Sequence, residues 1–255
     1  VSFNRHGVLA LYRFEMSRFR RTLWQSLATP VITTLLYFVV FGAAVGARLG
    51  EVHGVAYAAF IVPGLMLLAV FNESLNSAAF GIYLPRFTGT IYEVMSAPLS
   101  PLETGLGYIG AAMTKALLVS LTIFLTASLF VPFELRHPGW MLALLVLVAL
   151  GFSLAGFLVG AWARTFEHLQ VPATLVMTPL TFMGGAFYAI DQLPEPWRSL
   201  SLANPVVYFI SAFRWSFFGR ADVPLAASLA LLAVFLLCGL VLVGRVLRQG
   251  VGFRH

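Results

Sequence analysis

Residues 86–103 read "RFTGTIYEVMSAPLSPLE", a half-polar segment set between two long apolar runs. It carries Arg86, Glu93 and Glu103, a Gly89-Thr90 pair, and prolines at Pro98 and Pro101. Before it lies "AYAAFIVPGLMLLAVF" (56–71), and after it "TGLGYIGAAMTKALLVSLTIFLTASLFV" (104–131). A bilayer crossing needs about 20 apolar residues. The pattern is therefore span, short polar connector, span.

Composition extends that reading to the whole chain. Of 255 residues, 60% are hydrophobic and only 10% charged, against about 25% charged in soluble domains. Mean hydropathy is +0.89. So little polar surface cannot clothe a soluble globule, and an all-α integral membrane protein with one transmembrane domain over 1–255 is expected. The net charge of +6 does not point to nucleic acid, because most arginines sit at the ends of apolar runs, where anionic headgroups lie. The lone Cys238 permits no intrachain disulfide. The arginine-rich first twenty or so residues do not read as a cleavable signal peptide.

Six spans are expected: between Arg21 and Arg48, from after Glu51 to Leu84, Gly105–Val131, Trp140–Ala163, Leu169–Ile190 and Val223–Gly244. An even number puts both termini on one side. Placing them in the cytoplasm leaves eleven of the 16 basic residues inside, namely Arg5, Arg13, Arg18, Arg20, Arg21, Arg86, Lys115, Arg164, Arg245, Arg248 and Arg254. Five stay outside: Arg48, Arg136, Arg198, Arg214 and Arg220. That asymmetry favours cytoplasmic termini and a cytoplasmic 86–103 segment. Over 1–24, Val8, Tyr12, Met16, Phe19 and Leu23 recur at helical spacing, which predicts an amphipathic helix on the inner membrane surface. In the outer segment 191–222, "SLSLANPVVYFISAF" (199–213) is apolar, too short to span, and broken at Asn204-Pro205. It reads as two short helices that either dip into the membrane and return or lie on its surface.

Catalytic signatures are absent. His6, His53, His137, His168 and His255 lie near span ends or chain ends, with no metal-ligand spacing. There is no G-x-S-x-G elbow. The single lysine, Lys115, stands in Thr114-Lys115-Ala116, so no P-loop exists. No cofactor or metal site is expected in this chain. Glu73 and Lys115 are the ionisable residues inside spans, at similar depth on adjacent spans, with Asn72 and Asn76 beside Glu73. Buried charges in lipid are expensive and usually paired. A Glu73–Lys115 pair is expected; the alternative is a snorkelling Lys115 with Glu73 protonated. A carboxylate standing alone makes a poor proton relay.

Within the opening segment, a short helix is expected to start near Thr88–Thr90, capped by threonine, and to end at Ala97 before Pro98. Ile91, Val94 and Met95 would form its apolar face. Such a helix, held by two spans, can dock on a soluble partner and pass its motion to the membrane; the plainer reading is a solvated loop.

These residues resemble a known family. "PRFTGTIYEVMSAPLSPLETGLGYIGAA" (85–112) is similar to the R-x-x-G-T-[IL]-x-[ED] run followed by P-[LIV]-[ST]-P of type-2 ABC exporter permeases. That group includes the nodulation lipo-oligosaccharide, daunorubicin and YadH-like permeases. Here the matching residues are Arg86, Gly89, Thr90, Ile91, Glu93, Pro98, Leu99, Ser100 and Pro101. A second match, in order, is Gly185, Phe187, Tyr188, Leu193, Pro194, Asn204, Pro205, Tyr208 and Arg214, and a weaker one is "VPGLMLL" (62–68). The chain departs at Ala212, where relatives often carry an acid shortly before the arginine. The resemblance implies a homodimeric permease in the bacterial cytoplasmic (inner) membrane. It implies a separate ABC ATPase subunit that binds ATP and Mg and docks on a coupling segment, 85–103, with Met95 on its helix. Outer helices would shape the exit for an amphipathic substrate such as a lipid-linked glycan, a lipid or a hydrophobic drug. A stand-alone ion-coupled transporter and a non-transporting membrane anchor are the alternatives.

Overall fold

A computed structural model describes residues 3–132 and 135–249, with the side chains of residues 43–45, 47, 49 and 95 outside the described set. Helix α1 (Arg5–Arg21) precedes α2 (Leu23–Tyr37), which runs on through a π-helical stretch, Phe38–Val45, into the short α3 (Gly46–Leu49). A two-residue hairpin follows, β1 (Glu51–Val52) paired antiparallel with β2 (Val55–Ala56). Then come α4 (Tyr57–Phe60), α5 (Val62–Thr88), α6 (Ile91–Ser96), α7 (Pro101–Phe130) and α8 (Pro138–Trp162). The chain closes with α9 (Glu167–Val171), α10 (Thr178–Met183), α11 (Trp197–Leu202), α12 (Pro205–Phe218) and α13 (Leu225–Gln249).

Among the described residues, five helical stretches are long and apolar enough to cross a membrane: Leu23–Gly42, Tyr57–Thr88, Pro101–Phe130, Pro138–Trp162 and Leu225–Gln249. The expected fifth span, Leu169–Ile190, is not one regular helix. Pro172 and Pro179 each lack a backbone donor, and between them Pro172–Met177 widens into a π-helix that joins α9 to α10. The helix stops at Met183, seven residues before the expected end. Residues 184–189 turn away at Gly185, whose φ of +79° suits glycine.

The bundle is organised around α5. Its most apolar window is 72% buried, against 11% for the α2 stretch and 17% for α13. Two glycines let α8 approach it: a Cβ on Gly156 would meet the Leu75 carbonyl oxygen at 2.2 Å, and one on Gly160 would meet that of Ala79 at 2.4 Å. A small-xxx-small spacing of this kind is how helices gain contact area where lipid gives no hydrophobic drive.

Helix α1 docks along α7. Its buried stripe is Leu11, Glu15 and Phe19, shifted from the expected Val8, Tyr12, Met16, Phe19 and Leu23; Leu23 is exposed. The shift follows from one charge. Glu15 turns inward because it finds Lys115, with Nζ 3.2 Å from Oε2.

Arg86, expected in the connector, stands in the last turn of α5. Its guanidinium donates to the carbonyls of Gly160 at 2.9 Å and Ala161 at 2.8 Å, closing the otherwise unpaired end of α8. Charge-assisted bonds of this kind are worth about 1.5–3 kcal/mol each. Arg86→Ala should therefore lower the unfolding temperature of the purified chain by several degrees, with Arg86→Lys intermediate, as followed by thermal aggregation in detergent. An unchanged midpoint would show that this end of α8 needs no cap.

Candidate functional site

At the α6 end of the bundle, Gly89 (φ +79°) stops α5 and turns the chain into α6, which begins at Ile91. The expected threonine cap does not form: Thr90 makes no side-chain cap bond, and Thr88 Oγ1 lies 2.9 Å from Thr90 Oγ1. The expected apolar face splits. Ile91 is buried and anchors the helix, Val94 is half-buried, and the Met95 side chain lies outside the described set. What faces outward is Phe87 (75% exposed), Tyr92 (61% exposed) and the carboxylate of Glu93. Sequence reasoning missed Phe87 and Tyr92, because their exposure depends on how α6 is seated.

The connector after α6 is tied down. Ser100 and Glu103 form a reciprocal capping box at the start of α7, and Pro101 occupies the first turn. The backbone N–H of Asn4 donates to Glu103 Oε1, and Asn4 Nδ2 donates to the Pro98 carbonyl at 3.1 Å. Asn4 Oδ1 also accepts from Gly7 N at 3.0 Å, capping α1. Leu99 packs on Gly7 so closely that a Cβ there would meet its Cδ2 at 2.3 Å. Thus α1, α6 and the start of α7 form one mechanical unit.

The expected Glu73–Lys115 pair does not form. Cα–Cβ bonds tilt toward a helix's N-terminus. Because α5 and α7 run antiparallel, Lys115 leans toward the α6 end and Glu73 toward the hairpin end. Lys115 reaches Glu15, whose other oxygen lies 2.9 Å from Arg18 Nη1. Glu73 instead accepts a 2.6 Å bond from Ser77 Oγ. It lines a partly open cleft of about 330 Å³ between α2, α5, α7 and α10, together with Thr33, Thr34, Tyr37, Asn72 and Asn76.

At the opposite end, two helices form where expected, α11 and α12. Their residues serve to satisfy irregular backbone. Arg214 is buried, donates to the Gly185 carbonyl at 2.6 Å, pairs with Asp222, and lies 3.9 Å from the centre of the Phe60 ring. The acid absent at position 212 is thus supplied by Asp222, itself fixed by its N–H donating to Ser211 Oγ at 2.9 Å. Tyr57 Oη donates to the Phe187 carbonyl at 2.8 Å, and Asn204 Nδ2 donates to that of Leu180 at 2.6 Å. Asn204 Oδ1 caps α12, which opens with Pro205. Tyr208 Oη donates to the Leu202 carbonyl at 3.0 Å, Tyr188 packs beside Val207, and the Pro194 carbonyl accepts from Arg198 N. Buried non-helical backbone survives in an apolar setting only with such partners. None of these roles could be read from spacing.

Residues 6–218 match the family described as ABC-2 type transporter. The chain is 38% identical over 245 residues to the inner membrane transport permease YadH of Escherichia coli (strain K12), covering 96% of each chain. It is 24% identical over 238 residues to nodulation protein J of Rhizobium leguminosarum bv. viciae, covering 89% of this chain and 88% of that protein. Against nodulation protein J of Sinorhizobium fredii (strain NBRC 101917 / NGR234), identity is 29% over 220 residues, 82% of this chain and 79% of that one.

The Lys115–Glu15 contact generates a test. Removing one partner of a buried ion pair typically costs about 3–5 kcal/mol, while replacing both can be nearly neutral. Lys115→Met and Glu15→Gln should each lower the unfolding midpoint and expose α1 to protease, and the double variant should recover most of the loss. Recovery by pairing Lys115→Met with Glu73→Gln instead would reassign the partner.

Proposed function

The chain belongs to the ABC-2 type transporter family, and on that premise we propose that it is the permease subunit of an ATP-driven exporter. The observation that carries the proposal is the exposure of Tyr92 and Glu93 on the short helix α6, and of Phe87 in the last turn of α5 just before it. Exposed aromatic rings and a carboxylate at this turn suit docking in a groove on a soluble protein. The chain has no phosphate-binding loop, so ATP and Mg would be held by a separate ABC ATPase subunit. In this reading α6 is the coupling helix of the 85–103 segment. Gly89 and Thr90 set its angle, and Pro98, Leu99, Ser100 and Pro101 secure its far end.

The same reading places both termini and α6 in the cytoplasm and the hairpin outside, as the arginine distribution favours. The α9–α10 segment completes a sixth crossing, shortened at its outer end, and α11 and α12 lie as a re-entrant pair around the exit. The sparsely buried α2 face suits a second copy, giving a homodimer with two ATPases. The substrate is amphipathic, and the cleft beside Glu73 is its lateral way in. The protein moves no proton by itself and catalyses no covalent step. Multi-pass placement in the inner membrane agrees with the name of its permease relative.

Tyr92→Ala and Glu93→Lys should leave the chain folded but lose at least tenfold in ATPase recovery, when the tagged chain is purified gently from its host and the eluate is assayed for ATP hydrolysis. Undiminished recovery with both variants would remove α6 as the docking helix. A lone permease under conditions that preserve other membrane complexes would favour an ion-coupled transporter or an anchor.

A further inference from the structure

Among the described residues, no lysine or arginine pairs with Glu73. Lys115 is the only lysine or arginine within the long apolar runs, and it is held by Glu15 at 3.2 Å. Arg214, buried at the far end, is held by Asp222. Yet Glu73 is half-buried near the middle of α5, its carboxylate receiving one hydroxyl bond, from Ser77. A carboxylate in such surroundings is costly unless something compensates it.

The neighbouring groups share its polarity. Asn76 Oδ1 is buried with no hydrogen-bond partner. Asn72 spends its amide N–H on the Leu68 carbonyl at 2.9 Å, which turns the acceptor end of its amide away from that bond. One wall of the cleft thus carries the Glu73 carboxylate and the unpaired Asn76 Oδ1, while Thr33, Thr34 and Tyr37 on α2 add hydroxyls across from it. A buried acceptor left unpaired costs free energy that a donating ligand recovers. The cleft's volume of about 330 Å³ admits a small head group, and its open side leaves room for an alkyl tail.

We propose that this cleft binds the cationic, hydrogen-bond-donating head of an amphipath, such as a primary ammonium, with Glu73 as counter-ion and Asn76 Oδ1 as second acceptor. The inference rests on the exporter reading and narrows its substrate to positively charged amphipaths. Anionic heads meet the carboxylate and are refused. Neutral heads of the same size bind without the charge-assisted bond.

The test uses the full chain in phosphatidylcholine nanodiscs, with empty nanodiscs subtracted, and three radiolabelled probes that share a dodecyl chain: dodecylamine, dodecanol and dodecyl sulfate. Dodecylamine should bind saturably and at least tenfold tighter than dodecanol, and dodecyl sulfate should not bind. Glu73→Gln should abolish the preference for the amine, and Asn76→Ala should weaken it about threefold. Equal binding of amine and alcohol to the unaltered chain, or a preference that survives Glu73→Gln, would overturn the proposal and leave Glu73 as a structural partner of Ser77. The comparison on the unaltered chain decides the matter even if a variant fails to fold. Co-purification of the ATPase is scored separately: amine binding without an ATPase sinks the exporter reading and keeps the site, and the converse keeps the permease and sinks the site.

Discussion

Everything in this fold leans on the backbone contact between α5 and α8. Water drives soluble helices together, but inside lipid an apolar face gains little by leaving one apolar neighbour for another. Contact area and satisfied polar groups must do that work. Gly156 and Gly160 remove the side chains that would hold α8 off α5, so the Leu75 and Ala79 carbonyls lie where a Cβ would stand. Arg86 then fastens the ends of the same two helices. The exposed helix α6 grows from that fastened end, which is why a six-residue helix can be presented rigidly.

Charge accounting forms the second constraint. The chain holds few ionisable groups away from its ends, and two of the basic ones are matched locally, Lys115 by Glu15 and Arg214 by Asp222. Each match also fixes an element: the first pins α1 to α7, and the second closes the loop after α10. Both acids come from outside the long apolar helices, from α1 and from the loop before α13. Glu73 is the remainder after this matching, and its position in a cleft gives the remainder a meaning.

The long helices were legible because an uncharged, apolar run of about twenty residues meets the length a bilayer demands and is too oily for a soluble surface. The motif around 86–101 was legible as residues, but its geometry was not. Arg86 looked like a surface charge because its acceptors lie on α8, more than seventy positions away. Glu15 looked like an ordinary polar residue beside a stripe of apolar ones; only the direction in which Lys115 leans makes it the buried partner. The irregular span around Pro172 and Pro179 carried a warning in its prolines, yet how far the helix persists depends on Asn204, Arg214 and Tyr57 reaching its carbonyls and those of the following loop. Such tertiary partners leave no local trace.

The two ends of the molecule are joined by one element. At its hairpin end α5 meets the Gly185 loop: Gly64 lies so near the Ala186 carbonyl that a Cβ would approach it to 2.2 Å, and Phe60, just before the helix, lies under Arg214. At its other end α5 carries Arg86 and then α6. Between them it forms the wall of the cleft that holds Glu73. A packed helix transmits displacement because its neighbours cannot compress. On the coupling reading proposed above, a tilt imposed on α6 would reach the Glu73 wall and the Gly185 loop through the same helix. In that reading, coupling between a soluble motor and a membrane path runs through this one helix, whose two ends are held by different neighbours.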